Sequence, residues 1–184
     1  MKTTIEIGQL TNMRHVAAAA AITQRLDTVR IPSVNTWLRW LRAEHSMIRA
    51  LRLRIKIVDL PYYVHVHLRT HGTFNDWYVG SQRETSLNPV DYDRRKAPQD
   101  APISLMVDTN PQCLIDMSRR RLCSAADEVT RALWLSVKRE ITLCANAYIH
   151  TIGSVMLPDC LYRGGVCHEL KPCGYRPHYE DGVV

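Results

Sequence analysis

Hydrophobic residues along the chain change period several times, and each change marks an element. From Lys2 to Gln9 they alternate with polar ones, the period of a strand. Asn12 then stands as N-cap of an alanine-rich helix over Met13 to Val29, closed by Ile31 and Pro32. Ser33 caps a second helix. In it Val34, Leu38, Leu41, His45, Ile48 and Leu51 recur at helical spacing, with Arg39, Arg42 and Arg49 among the polar positions. His45 falls on the apolar side, which predicts a hydrogen-bonded core histidine. From Leu51 the period is two: Leu51, Leu53, Ile55 and Ile57 point one way and Arg52, Arg54 and Lys56 the other, a half-buried strand.

Pro61 opens Tyr62 to Arg69, where two readings stand side by side. Alternation of Val64, Val66 and Leu68 with His65 and His67 favours a strand, and proline at a first helical turn favours a helix. Thr85 to Pro102 has the composition of a long loop. Ile103 to Val107 predicts a short strand, and Asn110 followed by Pro111 predicts an N-cap with proline at the first helical position. Leu114, Met117, Arg121 and Leu122 lie on one side of that helix. Another runs from Ser124, with Asp127 and Glu128 in its first turn, to about Ala147. Residues 158–184 are irregular and cysteine-rich, so the chain divides into a domain over 1–157 and a tail.

The longest apolar run, Val16 to Ile22, is too short for a bilayer core that needs about 20 apolar residues. With a strand-like Thr3 to Ile7 in place of a leader, a cytoplasmic protein without disulfides is expected. The 24 Lys and Arg exceed the 18 Asp and Glu, and arginine dominates the cations. Its planar fork suits phosphate oxygens, so the excess points to a phosphorylated ligand, to nucleic acid, or only to a solvated basic surface.

One segment gathers polar chemistry without a hydrophobic purpose: His67, Arg69, His71, Asn75, Asp76, Ser81 and Arg83. A second follows in Asn110, Leu114, Arg121, Ala126, Glu128 and Arg131. In this order they resemble the flavin-dependent thymidylate synthases, whose Arg-His-Arg triplet precedes a Ser or Asn and then Ser-x-Arg. In that family an Asn followed eleven residues on by an Arg leads into Ala-Gln-x-Glu-Ile-Arg. His71 matches the triplet histidine, with Thr70 and Gly72 where its arginines are expected, or with Arg69 in the triplet after a shift of register. Ser81 and Arg83 match Ser-x-Arg, with Glu84 in place of tyrosine, and Asn110 and Arg121 keep the later spacing. Glu44, His45, Ser46 and Ile48 are similar to a motif upstream of the triplet, with Arg49 in its acidic position.

The resemblance implies an α/β fold of the α+β kind, a small mostly antiparallel sheet packed with helices. It also implies a homotetramer with sites between protomers. The implied activity is reductive methylation of dUMP to dTMP with FAD, methylenetetrahydrofolate and NADPH. Ser81, Arg83 and Arg121 would hold the nucleotide, and His71, Asn75 and Asn110 would lie near the flavin. Arg119 and Arg120 read as solvated or bound to neighbouring carboxylates. Two other classes remain open. One is a non-enzymatic nucleotide-binding protein of the same fold, and the other a nucleic-acid-binding protein using the Arg39 to Lys56 surface. Base stacking there would rest on Trp37 and Trp40 alone.

The tail resembles the ending of short phage-encoded relatives. Cys160, Cys167, His168 and Cys173 could form a Cys3His zinc site, although adjacent Cys167 and His168 do not easily share one ion, and packed thiols are the other reading. Cys113, Cys123 and Cys144 read as core positions of helices.

Overall fold

A computed structural model describes residues 3–70, 75–81, 93 and 95–177. His71 and Arg83, and half of the loop expected over Thr85 to Pro102, lie outside the described residues. The chain begins with strand β1 (Thr4–Gln9), helix α1 (Met13–Gln24), helix α2 (Val34–Arg42) and a 3-10 turn (Ser46–Ala50). Strand β2 (Leu53–Pro61), helix α3 (Tyr62–Arg69) and strand β3 (Asp76–Val79) follow. Strand β4 (Pro102–Thr109) leads to α4 (Pro111–Arg121), α5 (Glu128–Leu143), α6 (Ala147–Val155) and the short α7 (Asp159–Tyr162).

The four strands form one antiparallel sheet in the order β1-β2-β4-β3. This is the α+β arrangement expected. One face is apolar: Leu53, Ile55 and Ile57 of β2 and Leu105 and Val107 of β4 are buried against the helices. The other carries charge across the strands. Arg54 is level with Asp108 in the register, and Lys56 is level with Glu6. A bulge between Ile57 and Leu60, with Asp59 at a left-handed φ of 60°, ends the regular pairing before Pro61.

The helices pack over the apolar face through Val16, Trp37, Leu41, Leu114, Trp134, Val137 and Ile152. Both fully buried indoles have acceptors, as a buried N–H requires. Trp37 Nε1 donates to the Tyr148 carbonyl at 2.9 Å, and Trp134 Nε1 to Ser118 Oγ at 2.9 Å. Trp37 is thus a core residue and unavailable to stack on a base.

Several elements are shorter than their periodicity suggests. Arg25 takes a left-handed conformation and caps α1 at Gln24, five residues before the expected end. The second helix stops at Arg42. Glu44, at φ 51°, turns the chain, and His45 becomes the exposed residue before the 3-10 turn and no part of the core. The helix expected from Ser124 begins instead at Glu128, capped by Asp127, and breaks at Cys144. Asn146 caps α6 by accepting from Tyr148 N–H at 3.0 Å. Tyr62 to Arg69 is helical, with Val64, His65 and Leu68 buried.

Candidate functional site

Of the polar residues singled out in the sequence, His67, Asn75 and Arg121 come to the place where α3 ends, β3 begins and the second half of α4 packs, and Asn110 stands at the other end of α4. Asn110 starts α4: its side-chain oxygen accepts from Cys113 N–H at 3.2 Å, and Pro111 follows where an N–H would have no helical partner. Asn110 is buried, and this cap is the work its side chain does. Three turns on, Arg121 ends the same helix. Its guanidinium donates to the His67 carbonyl and, at 3.1 Å, to Thr70 Oγ1, bridging α4 to the last turn of α3.

Arg121 differs from the other half-buried arginine of α4. Arg119 is bound to the Glu44 carboxylate and lies over the Tyr162 ring, 4.0 Å from its centroid. Arg121 has no carboxylate in ion-pair contact among the described residues. Burial pulls its pKa below the usual arginine value, with Asp127 acting weakly in the opposite sense. A guanidinium stays protonated through such a shift, so a desolvated positive charge stands here with no carboxylate in contact among the described residues.

Other buried groups nearby are also unmatched. Asn75 Oδ1, Trp77 Nε1, Thr109 Oγ1, Arg121 Nε and both ring nitrogens of His65 have no partner among the described residues. The Asn75 amide rests on Met117 of α4, Nδ2 to Sδ 3.5 Å. Burial, helped by the charge of Arg69, holds the His65 pKa below its usual value and the ring neutral. A recess of about 220 Å³ lined by Tyr62, His65, Val66, Arg69 and Thr70 opens beside this group.

One residue in this region had not been assigned a role. Thr130 donates its hydroxyl to Asp127 at 2.8 Å, which leaves its oxygen to accept from His67 Nδ1 at 3.0 Å. The chain of bonds fixes the Nδ1–H form of His67 and leaves Nε2 as the basic nitrogen. Hydrogen bonds from the Thr130 N–H and hydroxyl outweigh desolvation and hold Asp127 below its usual pKa. The sequence carried a signal in Asp127 and Thr130, a cap and its third helical residue, but nothing linked them to His67, 63 residues away.

Ser81 stands at the other end of β3 from Asn75. It follows Gly80 beyond the far end of β3, whereas Asn75 precedes the strand. Six extended residues span roughly 20 Å.

The Arg-rich surface is already paired in part. Arg52 meets Asp76 at 2.9 Å, Arg54 meets Asp108 at 2.6 Å, and Lys56 meets Glu6 at 3.5 Å. Arg120 faces Glu169 at 3.6 Å.

In the tail, Cys160, Cys167, His168 and Cys173 line a single cavity of about 370 Å³. So does Cys123. It lies just beyond α4, half-buried and turned to the tail, so the core reading fails for it because the helix ends at Arg121. Cys144 falls in the break after α5, half-buried but packed against the core, and Cys113 is a buried core residue. Among the described residues no three His, Cys, Asp or Glu side chains stand at metal-binding spacing, and no helix is long and apolar enough to cross a membrane.

No protein-family model matches the sequence, and no curated protein is matched by it. Solved structures do match the fold. The UMP/dUMP methylase PolB from Streptomyces cacaoi, bound with 5-Br dUMP, superposes with a TM-score of 0.63 at 9% identity, over 85% of this chain and 97% of that one. Thymidylate Synthase X (ThyX) from Helicobacter pylori, with FAD and dUMP, superposes with a TM-score of 0.62 at 12% identity, over 83% of this chain and 99% of that one. The chain therefore has the mixed α/β fold, helices on a four-stranded antiparallel sheet, that these two nucleotide-methylating proteins share.

Proposed function

We propose that this protein binds a pyrimidine nucleotide, dUMP or a close relative, and methylates it reductively with FAD, methylenetetrahydrofolate and NADPH. The observation that carries this reading is Arg121, a half-buried cation lacking a carboxylate partner among the described residues, set beside a recess in a fold shared with two dUMP-site proteins. A phosphate or the polarised edge of a pyrimidine would supply the missing counter-charge. Ser81 and Arg83 complete the nucleotide side of the proposal, which includes the homotetramer with sites between protomers that the family resemblance implies.

The flavin side rests on His71, Asn75 and Asn110. Asn75 Oδ1 and Trp77 Nε1, a buried acceptor and a buried donor without partners among the described residues, fit the hydrogen-bonding edge of a planar heteroaromatic group. Bound there, FAD would supply the hydride chemistry. The protein's part is positional. Arg121 orients the nucleotide, Asn110 fixes the start of α4, and the Thr130 hydroxyl holds the His67 ring through Nδ1. Thr70, where the family's triplet has arginine, favours a second reading: a nucleotide-binding protein of this fold without flavin chemistry.

Calorimetric dUMP binding, with FAD titrated in parallel, tests both. Arg121→Ala should weaken dUMP by about 1.5–3 kcal/mol, roughly tenfold to a hundredfold, and Arg121→Lys should restore it only in part. Arg42→Ala, on an exposed face, should bind as wild type does. Equal affinity in every variant, or no binding to any, rules the nucleotide site out. Binding of dUMP without FAD selects the second reading.

A further inference from the structure

The last 18 described residues, from Cys160 to Pro177, follow a defined course with almost no regular structure. After α7, the backbone bonds that tie them to one another among the described residues are Arg163 N–H to the Asp159 carbonyl at 2.9 Å, Gly165 N–H to the Cys160 carbonyl at 2.6 Å and Cys167 N–H to the Pro177 carbonyl at 2.8 Å. Little apolar burial compensates: Cys167 is buried, but Leu170 and Tyr175 are exposed. A segment so poor in backbone bonds and core needs another source of order, and in small units a bound metal commonly provides it.

The thiols are disposed for that. Cys123 and the tail's Cys160, Cys167 and Cys173 all face the same cavity, and Cys160 lies within electrostatic reach of the other three. Ser124, the residue after Cys123, lines the cavity opposite the tail together with Cys123 and Cys173. Gly174, at φ 79°, turns the chain just beyond Cys173, and Tyr175 also lines the cavity. Arg131 and Lys171 line the cavity as well and offset the charge that thiolates would bring.

We propose that Cys123, Cys160, Cys167 and Cys173 bind one zinc ion, which ties the C-terminal segment to the end of α4. Four thiolates form a closed tetrahedral structural site with no position left for a reacting water. The thiols are not at ligand distance without metal, so binding draws them together across the cavity and is coupled to ordering of the tail. His168 lines the same cavity but adjoins Cys167, and Cys123 supplies the fourth ligand from a separate element. The proposal stands independently of the nucleotide reading.

Full-length protein purified from zinc-supplemented culture should contain one zinc per chain by elemental mass spectrometry. Alkylation followed by peptide mapping then reads the ligands in the wild-type chain. Cys123, Cys160, Cys167 and Cys173 should be protected until a chelator removes the metal, whereas Cys144 should react equally before and after. Cobalt exchanged into the site should show the charge-transfer and visible ligand-field bands of tetrahedral thiolate coordination. His168→Ala should keep its zinc and Cys123→Ser should lose it. Metal-free protein with a fully reactive tail overturns the proposal. So does a zinc protein in which Cys123 alkylates freely, or one that loses its metal on His168→Ala.

Discussion

Arg54 and Arg121 carry the same charge in opposite circumstances. Arg54 reaches both carboxylate oxygens of Asp108 at 2.6 Å, a bidentate pair on the charged face of the sheet. Those bonds outweigh desolvation and hold Asp108 below the usual carboxylate range. Because the folded-state pKa is depressed, the pair stabilises the fold fully above the unfolded value of about 3.9, and the contribution disappears as pH falls through the lower native value. Arg54→Met should therefore lower the melting temperature clearly at neutral pH, with the gap to wild type narrowing below about pH 4. A gap of constant size down to pH 3 would mean that Asp108 does not depend on Arg54 for its ionisation. The outward position of Arg54 was legible in the alternation of β2. Its partner was not, because the strand expected to end at Val107 runs on to Thr109.

Among elements, legibility followed the strength of local chemistry. The caps Asn12, Ser33 and Asn110, with Pro111 behind the last, fall where the sequence puts them, since a side-chain oxygen facing a free N–H is a local device. Helix ends were less visible because they rest on left-handed residues, Arg25 and Glu44, that are not glycine. Strand β3 is four residues long and exists through pairing with β4, a contact no local pattern reports. The site was legible in the same uneven way: Arg121 and Asn75 are brought together, but Cys123 was assigned to a core that its helix does not reach. The junction of α5 and α6 yields a prediction of this kind. Gly153 sits so close to α5 that an added Cβ would stand 2.2 Å from Thr142 Oγ1 and 3.3 Å from its Cβ. Gly153→Ala, favourable by helix propensity, should instead destabilise by about 1–3 kcal/mol. Adding Thr142→Ala should return part of that loss, and chemical denaturation of the four proteins in the cycle measures it. Additive effects would show that the helices do not meet there.

At the scale of the whole molecule, one carboxylate joins three distant parts of the chain. Glu44 accepts from Gln112, Arg119 and, at 2.6 Å, the hydroxyl of Tyr162, so the turn after α2, helix α4 and helix α7 meet at a single side chain. Burial pushes its pKa up, but the Tyr162 and Gln112 hydrogen bonds and the Arg119 charge prevail and hold it below the usual value. The same helix, α4, carries Arg121 toward the proposed nucleotide site and ends beside the proposed zinc thiols, so the two sites share one rigid support.

That junction also orders events in time. Glu44 and Tyr162 are 118 residues apart, and closing a loop of that length costs roughly 4 kcal/mol before any contact rewards it. The bond therefore forms late, after Glu44, Gln112 and Arg119 have met, and it contributes little to the barrier crossed during folding. Removing it should leave the refolding rate of Tyr162→Phe close to wild type. Loss of one charged hydrogen bond of about 1.5–3 kcal/mol should instead speed unfolding tenfold or more in stopped-flow denaturant jumps. A slowed refolding arm with unchanged unfolding would place Tyr162 in the nucleus. On a ribosome the consequence is directional: the Glu44 carboxylate waits, held by Arg119, until the final quarter of the chain emerges to lock it.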